Sequence, residues 1–237
     1  MKVIRFRVKG LINSFRVPFF RTYHKSFLAP PKTTVIGMLC NISLKSQREF
    51  FEILEEDKIE LSVVIDKIEG RGKDLWSYKT LDKKNRGKSV VRRDKLFIPN
   101  YTIYLKIEDQ SLYQEILTNL KEPKNIPSLG LDDELVTIYD VKELSIMINN
   151  SEKINSVFLD KFIEYKVFVK DFNQSMELPI LQITATKFLA FDKKGKQISR
   201  EVTEEFKQVE FINCEIEFQD EVQSFIDDEL KNCLVLY

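Results

Sequence analysis

Histidine, tryptophan and cysteine are scarce in this 237-residue chain: one, one and three respectively. Cys40, Cys214 and Cys233 are odd in number, far apart and in no zinc-binding spacing. They fit reduced thiols in a cytoplasm better than a disulfide framework. With one histidine, and with the acidic triplet Asp132, Asp133 and Glu134 after Gly130 joined by no second carboxylate or histidine motif, metal ligands are wanting, so no metal or other cofactor is expected. The triplet reads instead as a turn and a charged strand edge. No Walker loop, G-x-S-x-G elbow or dinucleotide-binding G-x-G-x-x-G is present, which removes support for those enzyme classes. No apolar run approaches the ~18 residues of a membrane span, so no membrane partner is expected. The opening MKVIRFRVKG alternates charged and apolar residues and resembles neither a signal nor a transit peptide, which leads to an expected cytoplasmic location. Internal repeats and low-complexity segments are also lacking.

What the chain does have is a hidden charge asymmetry. Its 37 Lys+Arg balance 37 Asp+Glu. Residues 1–100, however, hold 22 basic and 11 acidic residues, a net of +11, and residues 101–237 hold 15 and 26, a net of −11. From 1 to 48 there are ten Lys+Arg and no acid. A polyanion partner for the first half is one reading of this split, and charges that balance in space is the other.

The pattern of elements is α+β. Residues 3–9 alternate, with Ile4, Phe6 and Val8 to one side and Arg5, Arg7 and Lys9 to the other, which predicts a half-buried strand with a cationic open face. After Pro30 and Pro31, Thr33 or Thr34 is the expected N-cap of a helix carrying Val35, Ile36, Leu39 and Ile42. A second helix is expected over about 47–56, a strand over 59–69, a strand over 101–107, a helix over about 110–121 and a strand from Leu135. That order is a ferredoxin-like or RRM-like split unit over residues 1–150. Inserted in it, residues 70–97 carry ten Lys+Arg, three Asp, Trp76 and Tyr78, and read as a long basic hairpin. Residues 151–237 form a smaller β-rich C-terminal domain, with strands over 157–170, 178–191 and 207–218, a turn at Lys193–Gly195 and a short helix over 220–231.

Three constellations carry candidate chemistry. An open sheet face with Arg5, Arg7 and Lys9 suits single-stranded RNA, although a solvated face has the same pattern. In the insertion, Arg71, Lys73, Lys79, Arg86, Lys88, Arg92 and Arg93 can neutralise phosphates, and Trp76 and Tyr78 offer stacking surfaces; a solvated loop is the alternative. The segment SFRVPFFRTYHKSFLAPPK, residues 14–32, is polar, aromatic and basic together. Its Tyr23, His24 and Lys25 are residue types that metal-independent RNA cleavage uses, although a lone histidine is more often structural or ligand-contacting.

Gly10-Leu-Ile-Asn-Ser14-Phe15-Arg16, then Ala29-Pro30-Pro31-Lys32-Thr33-Thr34-Val35-Ile36-Gly37-Met38-Leu39, resemble the N-terminal signature of the CRISPR-associated Cas-five family of the RAMP superfamily. Pro99-Asn-Tyr101-Thr-Ile-Tyr104-Leu and Pro127-Ser-Leu-Gly130-Leu-Asp-Asp133 are similar to two further stretches of that family. The resemblance spans about residues 10–135 and looks more like the type I-B branch than the type I-C branch. It implies a non-catalytic subunit of a type I Cascade surveillance complex in antiviral defence. Such a subunit grips the 5′ handle of the crRNA, bends it with a thumb-like hairpin, and caps a Cas-seven-type backbone. It also touches a large Cas-eight-type subunit. A stable homo-oligomer is not expected of such a chain on its own. Under this reading Ser14, Arg16, Arg21, His24 and Lys25 join the RNA-binding residues, and Thr33 and Gly37 lie at a helix start able to present backbone N–H groups to a phosphate. The alternative is a metal-independent endoribonuclease processing pre-crRNA repeats through Tyr23, His24 and Lys25.

Overall fold

The computed structural model describes residues 1–18, 20, 23–55, 57–79, 87–151, 154–168, 177–185, 188–191, 197–202, 206–213 and 215–237. Its centre is an antiparallel four-stranded sheet built from β1 (Lys2–Gly10), β2 (Ile59–Lys67), β5 (Asn100–Ile107) and β6 (Val136–Ser145), in the spatial order β6-β1-β5-β2. The outer strands β3 (Gly70–Lys79) and β4 (Lys88–Phe97) pair with each other from Gly70↔Phe97 to Lys79↔Lys88 and make a hairpin between β2 and β5 in sequence.

Alternation places Ile4, Phe6 and Val8 of β1 at zero exposure in the main core. There they join apolar residues of helices α1 (Lys32–Ile42), α2 (Gln47–Glu55) and α3 (Gln110–Lys121). The α3 start is capped by the Asp109 carboxylate, which accepts from the N–H groups of Ser111 and Leu112. Before α2, Ser46 and Glu49 form a reciprocal box: the carboxylate accepts from Ser46 N–H at 2.7 Å, and Ser46 Oγ accepts from Glu49 N–H at 3.3 Å. The α1 start differs from expectation. Pro31 is the N-cap, extended at φ −70° and ψ 163°, with no side-chain cap, and its carbonyl accepts from Thr34 and Val35. Thr33 and Thr34 therefore belong to the first turn. The proline ring fixes φ near the value a helix entry uses, and the first N–H groups of α1 are left without a side-chain partner.

The sheet's other face is covered at one end. Val3, Val64 and Tyr104 pack against Ile146, Leu234 and Phe225. The cover is a three-stranded sheet, Met147–Ser151, Val222–Asp227 and Asn232–Leu234. The helix expected over 220–231 is thus a hairpin. The Asp227 side chain accepts from Glu229 and Leu230 N–H groups, and Lys231 adopts φ 59°, so the chain turns back where a helix would continue.

The remaining C-terminal strands match the expected extended character. Phe206–Asn213 pairs with Phe158–Asp160 and Glu177–Ala185, and Tyr165–Phe168 pairs with Glu215–Phe218. The turn expected at 193–195 lies outside the described residues. The expected boundary at residue 150 separates element orders but not cores: the Phe27 ring meets those of Phe158 and Phe211 at 6.2 and 5.6 Å. The C-terminal region also closes one edge of the central sheet. Leu61 and Tyr237 exchange backbone hydrogen bonds, and Val157 N–H donates to Val63. Among the described residues no helix is long and apolar enough to cross a membrane.

Candidate nucleic-acid interface

Period-2 alternation sorts the hairpin into two faces. Opposed pairs put Asp74 with Arg93, Trp76 with Val91 and Tyr78 with Ser89 on one face, and Lys73 with Asp94, Leu75 with Arg92 and Lys79 with Lys88 on the other. On the first face the Trp76 and Tyr78 rings lie 5.8 Å apart and are 47% and 39% exposed, so aromatic surface is open to a ligand. The Arg93 guanidinium sits 4.7 Å from the Trp76 centroid and bonds Asp74 at 2.5 Å. Arg93 therefore anchors the indole, and its charge is already paired.

The short strand Tyr23–His24 runs parallel to β4, with Tyr23 opposite Arg92 and His24 opposite Arg93. Consecutive strand residues face opposite ways, which separates Tyr23 from His24, whereas Lys25 lines the same cleft as His24. Tyr23 lies under the Arg92 guanidinium at 5.5 Å and against the Phe20 ring at 5.0 Å, where Lys25 Nζ also sits, 5.8 Å from that ring. His24 faces the cleft between hairpin and body. Partial burial lowers its pKa below the ordinary 6.5, and the nearby Arg16 and Arg93 add to the effect, so the neutral form of the imidazole is favoured.

That cleft, about 810 Å³, is where the sequence signatures meet. Arg16 and His24 line one side, Thr33 and Thr34 bring the uncapped α1 start, Trp76 and Arg93 come from the hairpin, and the Gly130–Asp133 turn closes the rim. A second groove of about 940 Å³ continues from Thr33 past Gly37 to the 125–135 segment. A Cβ added at Gly37 would meet nothing within 4 Å, so the glycine leaves that wall open. A third cavity of about 430 Å³ is bordered by Arg71, Lys73 and Lys95. Arg16, Arg71, Lys73, Lys79, Lys88 and Arg92 are exposed. Arg21 and Arg86 lie outside the described residues.

A buried clamp that the sequence reading missed fixes the geometry. Glu134, 4% exposed, accepts from Ser14 N–H at 2.7 Å, Ser14 Oγ at 2.6 Å, Leu131 N–H at 3.0 Å and the Lys95 ammonium. Asn13 Nδ2 donates to Leu129 carbonyl at 2.7 Å in the same junction. Gly130 adopts φ 115°, and a Cβ there would fall 2.1 Å from Glu134 Oε2 and 2.6 Å from Ser14 carbonyl oxygen. The glycine thus permits both the left-handed turn and the close approach. Glu134 is not a strand-edge solubiliser but the peg joining the 13–16 segment, the β4 strand and the 129–134 turn. Ser14, expected to touch RNA, spends its hydroxyl and N–H on this peg.

The cationic sheet face needs the larger correction. Arg5 is fully buried, bonding Asp227 at 2.8 Å, Glu229 at 2.9 Å and Asp140 at 3.3 Å. A buried arginine is stable only when so paired, and the 222–234 hairpin supplies two of the three carboxylates. Arg5 cannot reach an RNA. Arg7 is half-buried, 3.9 Å from Asp140 and 4.0 Å from Asp66, while Lys9 is exposed. Among the described residues no group of three His, Cys, Asp or Glu is arranged to hold a metal ion.

Comparisons with known proteins bear on this arrangement. A structure described as a CRISPR RNA-guided surveillance complex is similar with a TM-score of 0.50, at 16% identity, over 91% of each chain. A CRISPR protein from Archaeoglobus fulgidus is similar with a TM-score of 0.50, at 12% identity, over 99% of this chain and 98% of that one. At those identities the likeness is one of fold. No curated protein matches the chain in sequence. The family model described as CRISPR-associated protein (Cas_Cas5) matches residues 3–178, most of the chain, and the chain therefore belongs to that CRISPR-associated family.

Proposed function

We propose that this chain is a non-catalytic RNA-binding subunit of a CRISPR effector complex of the type I Cascade kind, resembling the type I-B branch, that holds the 5′ handle of the crRNA. It caps one end of a backbone of Cas-seven-type subunits and contacts a large Cas-eight-type subunit. Family membership and the likeness to a surveillance-complex chain support the setting. The observation that carries the RNA reading is the cleft: the family-like segments at 14–16, 33–37 and 129–133 converge there with the aromatic face of the basic hairpin. The β6-β1-β5-β2 strand order fits the ferredoxin-like, RRM-like unit, and the hairpin between β2 and β5 is read as the thumb. Phosphates are assigned to Arg16, Lys25, Arg71, Lys73, Lys79, Lys88 and Arg92 around the cleft and hairpin, together with the α1 N-terminus.

Titrating the full chain with handle RNA at rising salt tests this. Each phosphate paired should contribute a slope of ~0.7 log units per log of salt, and a slope near zero would sink the reading. The endoribonuclease alternative has one observation in its favour, His24 and Lys25 lining the same cleft. Tyr23 on the opposite face counts against it. Incubation with a repeat hairpin in EDTA should leave the RNA intact; site-specific cleavage that is lost in His24→Ala would establish the enzyme instead.

A further inference from the structure

We infer that Asp74 is a positioning residue for RNA binding: it commits Arg93 to Trp76, so that the hairpin meets the strand with a fixed stacking surface and this arginine pairs no phosphate. This rests on the RNA-binding reading above and assigns a role to two hairpin residues that the reading leaves without one.

The register of the hairpin brings the three side chains together. Asp74 of β3 lies directly opposite Arg93 of β4, and Trp76, two residues further along β3, lies opposite Val91. Asp74, Trp76 and Arg93 therefore share one face, and Arg93 and Trp76 are diagonal neighbours, a spacing that a long side chain spans. Arg93 uses that reach. Its Nε and Nη2 both donate to Asp74 Oδ2, at 3.2 and 2.5 Å, while its Cζ stands 4.7 Å from the indole centroid. The carboxylate holds one edge of the guanidinium and the ring takes its cation–π contact.

That arrangement decides what the hairpin offers to a strand. An arginine in a basic hairpin is ordinarily a phosphate ligand. Arg93, with a side chain only 15% exposed and a carboxylate on it, adds no net charge to its surroundings. What remains open beside it is aromatic: nearly half of Trp76, with the Tyr78 ring 5.8 Å away. Arg16, on the body side of the same cleft, is the contrast, being exposed and without an ion pair among the described residues. Phosphates go to cations of that kind, and a base goes to the indole. Without the Asp74 carboxylate, Arg93 is an unpaired cation within the cleft lining. A phosphate then competes with the ring for its guanidinium, and the indole loses the group that fixes it.

Trp76 is the only tryptophan, so its fluorescence reports the shelf without a label. The full chain is titrated with a uridine decamer, which forms no base pairs with itself, at rising salt. In Asp74→Asn the freed Arg93 should steepen the salt slope by ~0.7 log units per log of salt, the contribution of one more paired phosphate. At high salt, where that pairing is screened, the same variant should bind roughly fivefold more weakly and quench Trp76 less. Asp74→Glu, which keeps the carboxylate, should return both readouts toward the parent. Arg93→Gln should weaken binding and leave the slope unchanged, because its charge is already committed. An ion pair this near the surface contributes little to stability, so the thermal midpoints should stay close to the parent's. A parent-like slope and quenching in Asp74→Asn, or a slope ~0.7 shallower in Arg93→Gln, would overturn the inference and leave the RNA-binding reading standing. A parent slope near zero would overturn both.

Discussion

Removing the Glu134 carboxylate would leave Lys95 with a buried, unpaired ammonium and free two backbone N–H groups. Breaking a buried pair from one side costs on the order of 3–5 kcal/mol, so Glu134→Ala should lower the denaturant midpoint sharply without changing a surface contact. A midpoint within error of the parent would contradict the peg. The Arg5 cluster makes the matching case on the other side of the sheet. Burial alone would raise the pKa of Asp227, yet the Arg5 guanidinium and Tyr104 hydroxyl hold it below the ordinary 3.8. A carboxylate depressed in the folded state stabilises the fold above its unfolded pKa, and that stability is lost as the pH falls through the folded value. Hydrogen exchange over 222–234 should therefore quicken below pH 4 before it quickens over β5. The pKa of His24 is shifted in the same direction, its charged form being disfavoured by burial and by Arg16 and Arg93. As the sole imidazole its proton NMR signal can be followed alone. It should titrate with a midpoint below 6.5 in the free chain and move upward on adding RNA, as an approaching phosphate favours the charged form.

At the scale of elements, the hairpin and α3 are the parts that a sequence displays most openly. Gln110–Lys121 has its cap, its apolar stripe and its ends in one local stretch, and β3 and β4 alternate in step along their paired lengths. Local periodicity failed where distant chain intervened. Arg5 alternates as a solvent-facing residue should, but the carboxylates that bury it lie more than 130 residues away. Val222, Phe225 and Ile226 have helical spacing, yet the Asp227 turn folds them into a hairpin. Glu134 was unreadable for the same reason: its partners, Ser14 and Lys95, are far off in sequence. The candidate site was legible as segments and not as a surface, since motifs list residues without saying which are spent on one another. Trp76 is not spent. Trp76→Ala should weaken RNA binding by the ~1–3 kcal/mol of one stacked base and leave thermal stability unaltered. A large loss of stability would mean that the indole is structural.

For the molecule as a whole, the split of charge does not correspond to a split of cores. Phe27, from the basic half, is packed between Phe158 and Phe211 of the acidic half. Phe27→Ala should cost on the order of 3–5 kcal/mol and shift a single unfolding transition, with circular dichroism and Trp76 fluorescence moving together. Two separated transitions would instead mark two autonomous domains. The same interlocking gives the chain a sidedness. Tyr237 and Val157 occupy the backbone hydrogen-bonding groups of β2 at Leu61 and Val63. A strand so occupied offers no template to another polypeptide, which removes one route to uncontrolled sheet-to-sheet polymerisation. Of the central sheet and the hairpin, the described strands that keep an outer edge are β6 and β3. The central sheet is thus blunt at β2 and open at β6, so any sheet continued from it can grow in one direction only.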